Sequence, residues 1–173
     1  MSKSIDFNNY LGKELQISQK SFWIREFFLM NENVTIGKLQ SVKVINDLFV
    51  CDIEGNEFEF YKKNLLSKEI LIREKGKQLP FASFNSNFFF TSGELKLPRG
   101  KKILIKIGTF KNNASLYESE TKLLFQLKCK LAFNEKCILT IENRSEILEE
   151  YSWLPLFVFY LLKISKDAGA VFH

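Results

Sequence analysis

Through most of this chain, apolar and polar residues change places every second position, the period of a β-strand with one buried face. In "EFEFYKK", Phe58 and Phe60 fall on one side and Glu57, Glu59 and Tyr61 on the other. In "KILIKIG", Ile103, Ile105 and Ile107 alternate with Leu104 and Lys106. Short apolar or alternating runs of the same kind are "ELQISQ", "EFFLM", "VTIGKLQSVKVI", "DLFVCDI", "KEILIRE", "LPFASF", "NFFFTS", "ELKLP", "ASLYESE", "KLLFQLKCKLAF" and "KCILTIEN". Turn chemistry separates them: "NEN" and "EGN" read as tight hairpins, and "KGK" and "RGKK" as turns. The pattern predicts about a dozen strands in an all-β fold, with no linker or repeat to divide it.

The period changes only near the C-terminus. From Tyr151 to Leu162 no residue is charged, and Leu154, Leu156, Phe157, Val158, Phe159, Leu161 and Leu162 cover every side of a helix. Ser152 is placed as N-cap, Pro155 falls in the first turn, and Gly169 is placed for the C-terminal cap. Glu146, Glu149 and Glu150 precede the positive end of the dipole, and Lys163 and Lys166 lie near the negative end. The predicted helix spans about residues 153–168, roughly 24 Å at 1.5 Å per residue. A bilayer span needs about 20 apolar residues, and here Lys163, Lys166 and Asp167 interrupt first. The helix is therefore expected inside the protein, with no transmembrane span. A helix surrounded by a chain of strands requires the sheet to curl into a barrel, and about eleven or twelve strands leave room for it. The expectation is a mainly β, closed antiparallel barrel of about 12 strands around a hydrophobic C-terminal central helix, formed by residues 1–173 as one domain.

Composition agrees with a packed body: 18 Phe and 5 Tyr against 8 Gly and 3 Pro leave little room for disorder. The net charge of +5 is mildly basic and compatible with anionic lipid or nucleic acid. Cys51, Cys129 and Cys137 lie among apolar residues and are expected as buried free thiols. The one histidine is His173, so neither a zinc cluster nor a nucleophile triad is expected. The N-terminal segment has charges throughout and no apolar core, which excludes a secretory signal and makes a cytoplasmic location the default.

The hairpins "EFFLMNENVTIGKLQSVK" and "FVCDIEGNEFEFYKK", the strand "KLLFQLK" and the terminal "WLPLFVFYLLKISKDAG" resemble, as a pattern of elements from about residue 14 to 170, the tubby-like superfamily. That superfamily includes tubby C-terminal domains, LURP-one-related proteins and phospholipid scramblases. The resemblance implies a twelve-stranded closed barrel around a hydrophobic C-terminal helix. The segment "ENRSEILEE" does not match the acidic calcium-binding segment of scramblases, and the cysteines form no cluster for palmitoylation. Calcium-driven lipid scrambling is therefore not implied, and no residue is carried over from the tubby head-group pocket.

Candidate chemistry is sparse. Glu57/Glu59 and Glu118/Glu120 put two carboxylates on one strand face, a pattern that suits a solvated sheet better than a cleft. No Gly-rich phosphate loop is present. Two basic groups, Lys62–Lys63 at a strand end and Arg99, Lys101 and Lys102 in one turn, could hold a phosphate, a lipid head group or an acidic partner. "FNSNFFF" beside lysines raises a nucleic-acid platform, but consecutive Phe88, Phe89 and Phe90 cannot share one strand face, and a core role accounts for them. The sequence points to a non-enzymatic intracellular module, without cofactor or metal, that binds a protein partner or anionic lipid head group, peripherally at a membrane in the second case. The alternative is a lipocalin-like carrier of a small apolar ligand. What fills the barrel distinguishes the two.

Overall fold

The computed structural model describes residues 5–21, 23–43, 47–64, 66–87, 89–108, 110–130 and 136–170. Twelve strands follow one another: β1 (Glu14–Gln19), β2 (Glu26–Asn31), β3 (Val34–Lys43), β4 (Leu48–Ile53), β5 (Asn56–Lys62), β6 (Glu69–Glu74), β7 (Ala82–Ser86), β8 (Ser92–Lys96), β9 (Lys102–Gly108), β10 (Asn113–Tyr117), β11 (Leu123–Lys130) and β12 (Lys136–Ile141). Each pairs antiparallel with its sequence neighbour, and β1 pairs with β12 from Glu14↔Thr140 to Ser18↔Lys136, closing the barrel. Two helices follow, α1 (Glu146–Glu150) and α2 (Leu154–Ala170).

Alternation decides which side chains point inward. Leu15 and Ile17, Phe27 and Leu29, Ile70 and Ile72, and Ile103, Ile105 and Ile107 are all buried, while their strand neighbours are not. The "EGN" hairpin is tight because Glu54 and Gly55 both take positive φ (51° and 82°), the type I′ geometry that follows strand twist.

α2 fills the interior. Every described residue from Tyr151 to Leu162 is buried, as the absence of a polar stripe requires. Strands on different sides of the barrel supply its ring partners. Phe159 meets Phe27 of β2 (4.9 Å), Tyr160 meets Phe49 of β4 (5.2 Å), and Phe157 meets Phe60 of β5 (5.1 Å) and Phe84 of β7 (6.1 Å). The Tyr160 hydroxyl donates to the Asp47 carbonyl at 3.1 Å, and burial, with Asp47 nearby, raises its pKa well above the phenol range. Room for the helix comes partly from small inward positions. A Cβ on Gly37 would stand 3.2 Å from the Leu156 side chain and 2.5 Å from Ile53.

Several local expectations change. The first α2 turn closes from the Phe157 N–H to the Trp153 carbonyl (3.0 Å), so Ser152 lies one residue too early to cap it. Gly169 lies inside the helix, which continues to Ala170. The acidic run ahead of α2 is itself helical: Ser145 caps α1 by accepting from the Ile147 N–H at 3.1 Å. "NFFFTS" is mostly a loop, because the Asn87 side chain accepts from the Thr91 and Ser92 N–H groups and Phe90 takes φ 55°. The cysteines are also corrected. Cys51 is free and buried, its pKa raised by burial and then by Asp52, but Cys129 and Cys137 form a disulfide. The β11–β12 register sets those two directly opposite each other. Phe88 and His173 lie outside the described residues.

Candidate functional site

Because the strands run up and down, their connections fall alternately at two ends of the barrel. One end receives the β2–β3, β4–β5, β6–β7, β8–β9 and β10–β11 connections, together with α1 and the start of α2. This is the capped end. The other receives the β1–β2, β3–β4, β5–β6, β7–β8 and β9–β10 connections and the last turns of α2. This is the rim end.

The capped end is tied down by specific polar bonds. A 3-10 turn at Phe7–Tyr10 buries Phe7, and beside it Asn8 donates to the Ser145 carbonyl (3.0 Å) while accepting from the Ser145 N–H (2.9 Å). The Ser145 hydroxyl donates to Glu118 at 2.8 Å, and Lys122 pairs with the same carboxylate. Burial would raise the Glu118 pKa, but the bonds from Lys122 and Ser145 outweigh it and hold the carboxyl below the usual glutamate range.

A cleft of about 460 Å³ opens here, walled by Phe58, Phe81 and Trp153 and edged by Glu74, Glu150 and Tyr151. Its walls are packed on one another, Phe81 to Trp153 at 5.8 Å and Phe58 to Phe81 at 6.2 Å. The Tyr151 hydroxyl is buried without a hydrogen-bond partner. Among the described residues, no group of three His, Cys, Asp or Glu side chains is placed to hold a metal.

The five basic candidates do not form one site. Arg99, Lys101 and Lys102 are at the capped end, whereas Lys62 and Lys63 are at the rim end, across the length of the barrel. Arg99 and Lys101 both pair with Glu150, Lys101 at 2.8 Å, so one carboxylate already occupies the anion position between them. Lys102 pairs with Glu94 at 3.2 Å and Lys62 with Asp47 at 2.6 Å. Lys63 is exposed. The turn that gathers Arg99 and Lys101 is thus in part a clasp between the β8–β9 connection and α1.

Of the paired acids, Glu57 and Glu59 serve the sheet, whereas Glu118 and Glu120 follow the end of β10 in its connection to β11 and share no strand face. Glu57 accepts from Lys75 (2.7 Å) and Glu59 from Arg73 (2.5 Å), both across the β5–β6 side of the barrel. The phenylalanine run divides as well: Phe90 turns inward against Phe84 (6.2 Å), and Phe89 is exposed. What the residue-type reading did not find is the collection of exposed apolar tips at the rim end. Its signal was present in single residues between strands, Trp23, Leu66 and Phe110, that no alternating run absorbs.

Comparison with known proteins finds no family model, no curated protein and no solved structure that matches the chain. Among the described residues, no helix is long and apolar enough to cross a membrane. The class defined by the fold is a closed, helix-filled antiparallel β-barrel.

Proposed function

We propose that this protein is a non-catalytic binding module of tubby-like type, acting from its outer surface on a protein partner or an anionic lipid head group. One observation carries the reading: α2 occupies the barrel interior, with Leu154 to Leu162 buried. An apolar-ligand carrier needs an open lumen, and here the inward Phe, Ile and Leu side chains already have a partner in the helix. The ion pairs on Glu57, Glu59 and Glu150 support the non-catalytic part, since these carboxylates are engaged by neighbouring cations. A tubby-like kinship is part of the proposal and rests on the shared arrangement of barrel and helix.

The test is ligand uptake. Protein purified without detergent is titrated with a fluorescent fatty acid; no saturable uptake is expected, and stoichiometric uptake would favour the carrier instead. Location can be tested separately. Disulfides such as Cys129–Cys137 are rare in the cytosol. A cytoplasmic protein should therefore yield three free thiols when trapped directly from cells, and a retained bridge would place it in an oxidising compartment.

A further inference from the structure

Large apolar side chains stand out into solvent at the tips of five connections; four of these are at the rim end, and the fifth, Leu79 between β6 and β7, is at the capped end. Trp23 (88% exposed) and Ile24 lie between β1 and β2, Leu66 (96%) between β5 and β6, Phe89 (79%) between β7 and β8, and Phe110, fully exposed, between β9 and β10. In the twelve-strand ring the β1–β2 and β7–β8 connections are on opposite sides, and the other two lie one on each of the two arcs between them. The tips are therefore spread around the rim, so that a flat surface laid across this end can meet them together. A groove for one peptide or one small ligand would instead gather them on one side.

Charge distinguishes this end further. Lys20 precedes the Trp23 tip, Lys63 and Lys68 bracket Leu66, and Lys111 follows Phe110; all four lysines are exposed. Lys130 and Lys136 are also exposed and face each other across β11 and β12. Of the acids described here, Asp47 is paired with Lys62, Asp167 with Arg25 and Glu26, which begins β2, with Lys38, and Glu69 begins β6. Apolar tips ringed by lysines match the boundary of an anionic bilayer, where the tips enter the head-group layer and the lysines stay at the phosphate level.

We infer that the rim end is a bilayer-docking face, with Trp23, Leu66, Phe89 and Phe110 entering the head-group region of an anionic membrane and the surrounding lysines supplying the attraction. This rests on the outward-binding reading above and names its partner. The barrel axis then stands toward the membrane, with the capped end and its cleft facing away.

The chain carries its own reporter, because of its two tryptophans Trp153 is buried and Trp23 exposed. Full-length protein is titrated with vesicles of phosphatidylcholine alone and of phosphatidylcholine with phosphatidylserine, following Trp23 emission and its quenching by iodide. The expected result is a blue shift and loss of quenching with the anionic vesicles only, weakened by salt. Lys63→Glu with Lys111→Glu should weaken binding by roughly 30-fold or more, the worth of two lysines at an anionic surface. Phe110→Ser with Leu66→Ser should weaken it by roughly tenfold, as buried apolar area is lost. Leu79→Ser, at the capped end, should change nothing. Equal binding to neutral vesicles, no binding to either, or a Trp23 already shielded from iodide without lipid would overturn the docking face. Binding that survives the rim substitutions and is lost on Arg99→Glu with Lys101→Glu would overturn it too, while leaving the outward-binding reading intact. Fatty-acid uptake, by contrast, bears on that reading itself.

Discussion

The two ends of the barrel use the same kinds of residue for opposite purposes. At the capped end, charged and polar side chains face one another: Arg99 and Lys101 close on Glu150, Lys122 and Ser145 on Glu118, and Asn8 on the Ser145 backbone. Its aromatic rings, Phe58, Phe81 and Trp153, pack edge-on or tilted against one another. At the rim end, lysines and large apolar side chains stand exposed on separate loops. A residue engaged in closing the fold has little freedom to recognise anything else, and its replacement is felt as lost stability. A residue standing in solvent contributes little to folding, so its value lies in what it meets. Lys101 and Lys63, indistinguishable as residue types, belong to different categories for this reason.

The largest expected effect comes from the interior that both ends enclose. Phe157→Asp puts a charge between Phe60, Phe84, Trp153 and Tyr160, where no wet face can solvate it. Burial of one large apolar side chain contributes about 1.5–3 kcal/mol, against a net domain stability of about 5–15 kcal/mol. The variant should be recovered aggregated or unfolded, and so should a chain truncated before Tyr151, as circular dichroism and gel filtration will show. A folded, more soluble truncated form would mean that α2 lies outside the barrel.

The difference between the ends should appear next in paired substitutions. Asn8→Ala removes both bonds that tie the N-terminal turn to Ser145 and should cost about 1–3 kcal/mol in urea unfolding. Phe110→Ser, at the rim, should stay within about 0.5 kcal/mol of the parent. Equal losses at the two positions would erase the distinction.

The smallest effect concerns acid. The Glu118 carboxyl is held below its ordinary pKa in the folded protein, so it contributes stability above the unfolded pKa and loses it as pH falls through the folded value. The group is partly exposed, so screening keeps the contribution under about 1 kcal/mol. Glu118→Gln should lower stability slightly at neutral pH and flatten its decline on the acid side of the glutamate range. An unchanged acid limb would show that the Lys122 and Ser145 bonds do not govern this end.

The architecture was legible in the sequence because its two signals are independent of register. A helix apolar on every side has to be enclosed, and about a dozen alternating runs can enclose it. The functional surface was much less legible. Which end of the barrel a loop occupies depends on the parity of the strands before it, and merging "NFFFTS" with "ELKLP" into β8 changes that parity downstream. Lys62–Lys63 and the Arg99–Lys102 turn therefore read as comparable patches, although the structure sets them at opposite ends. The Glu150 clasp depends on α1, a five-residue helix whose Ser145 cap is weaker in sequence than the all-round apolar run after it. The Cys129–Cys137 pair needed the β11–β12 register: two cysteines eight positions apart face each other only when the hairpin between them closes symmetrically.

Hydrogen exchange of the native protein, resolved by residue, tests the central claim most directly. If α2 is the enclosed core of the barrel, its amides from Phe157 to Ile164 should exchange only through global unfolding, as slowly as those of β4 and β11, while the loops carrying Trp23, Leu66 and Phe110 exchange orders of magnitude faster. Exchange across α2 at rates well above those of the strands, with the barrel still protected, would contradict the account.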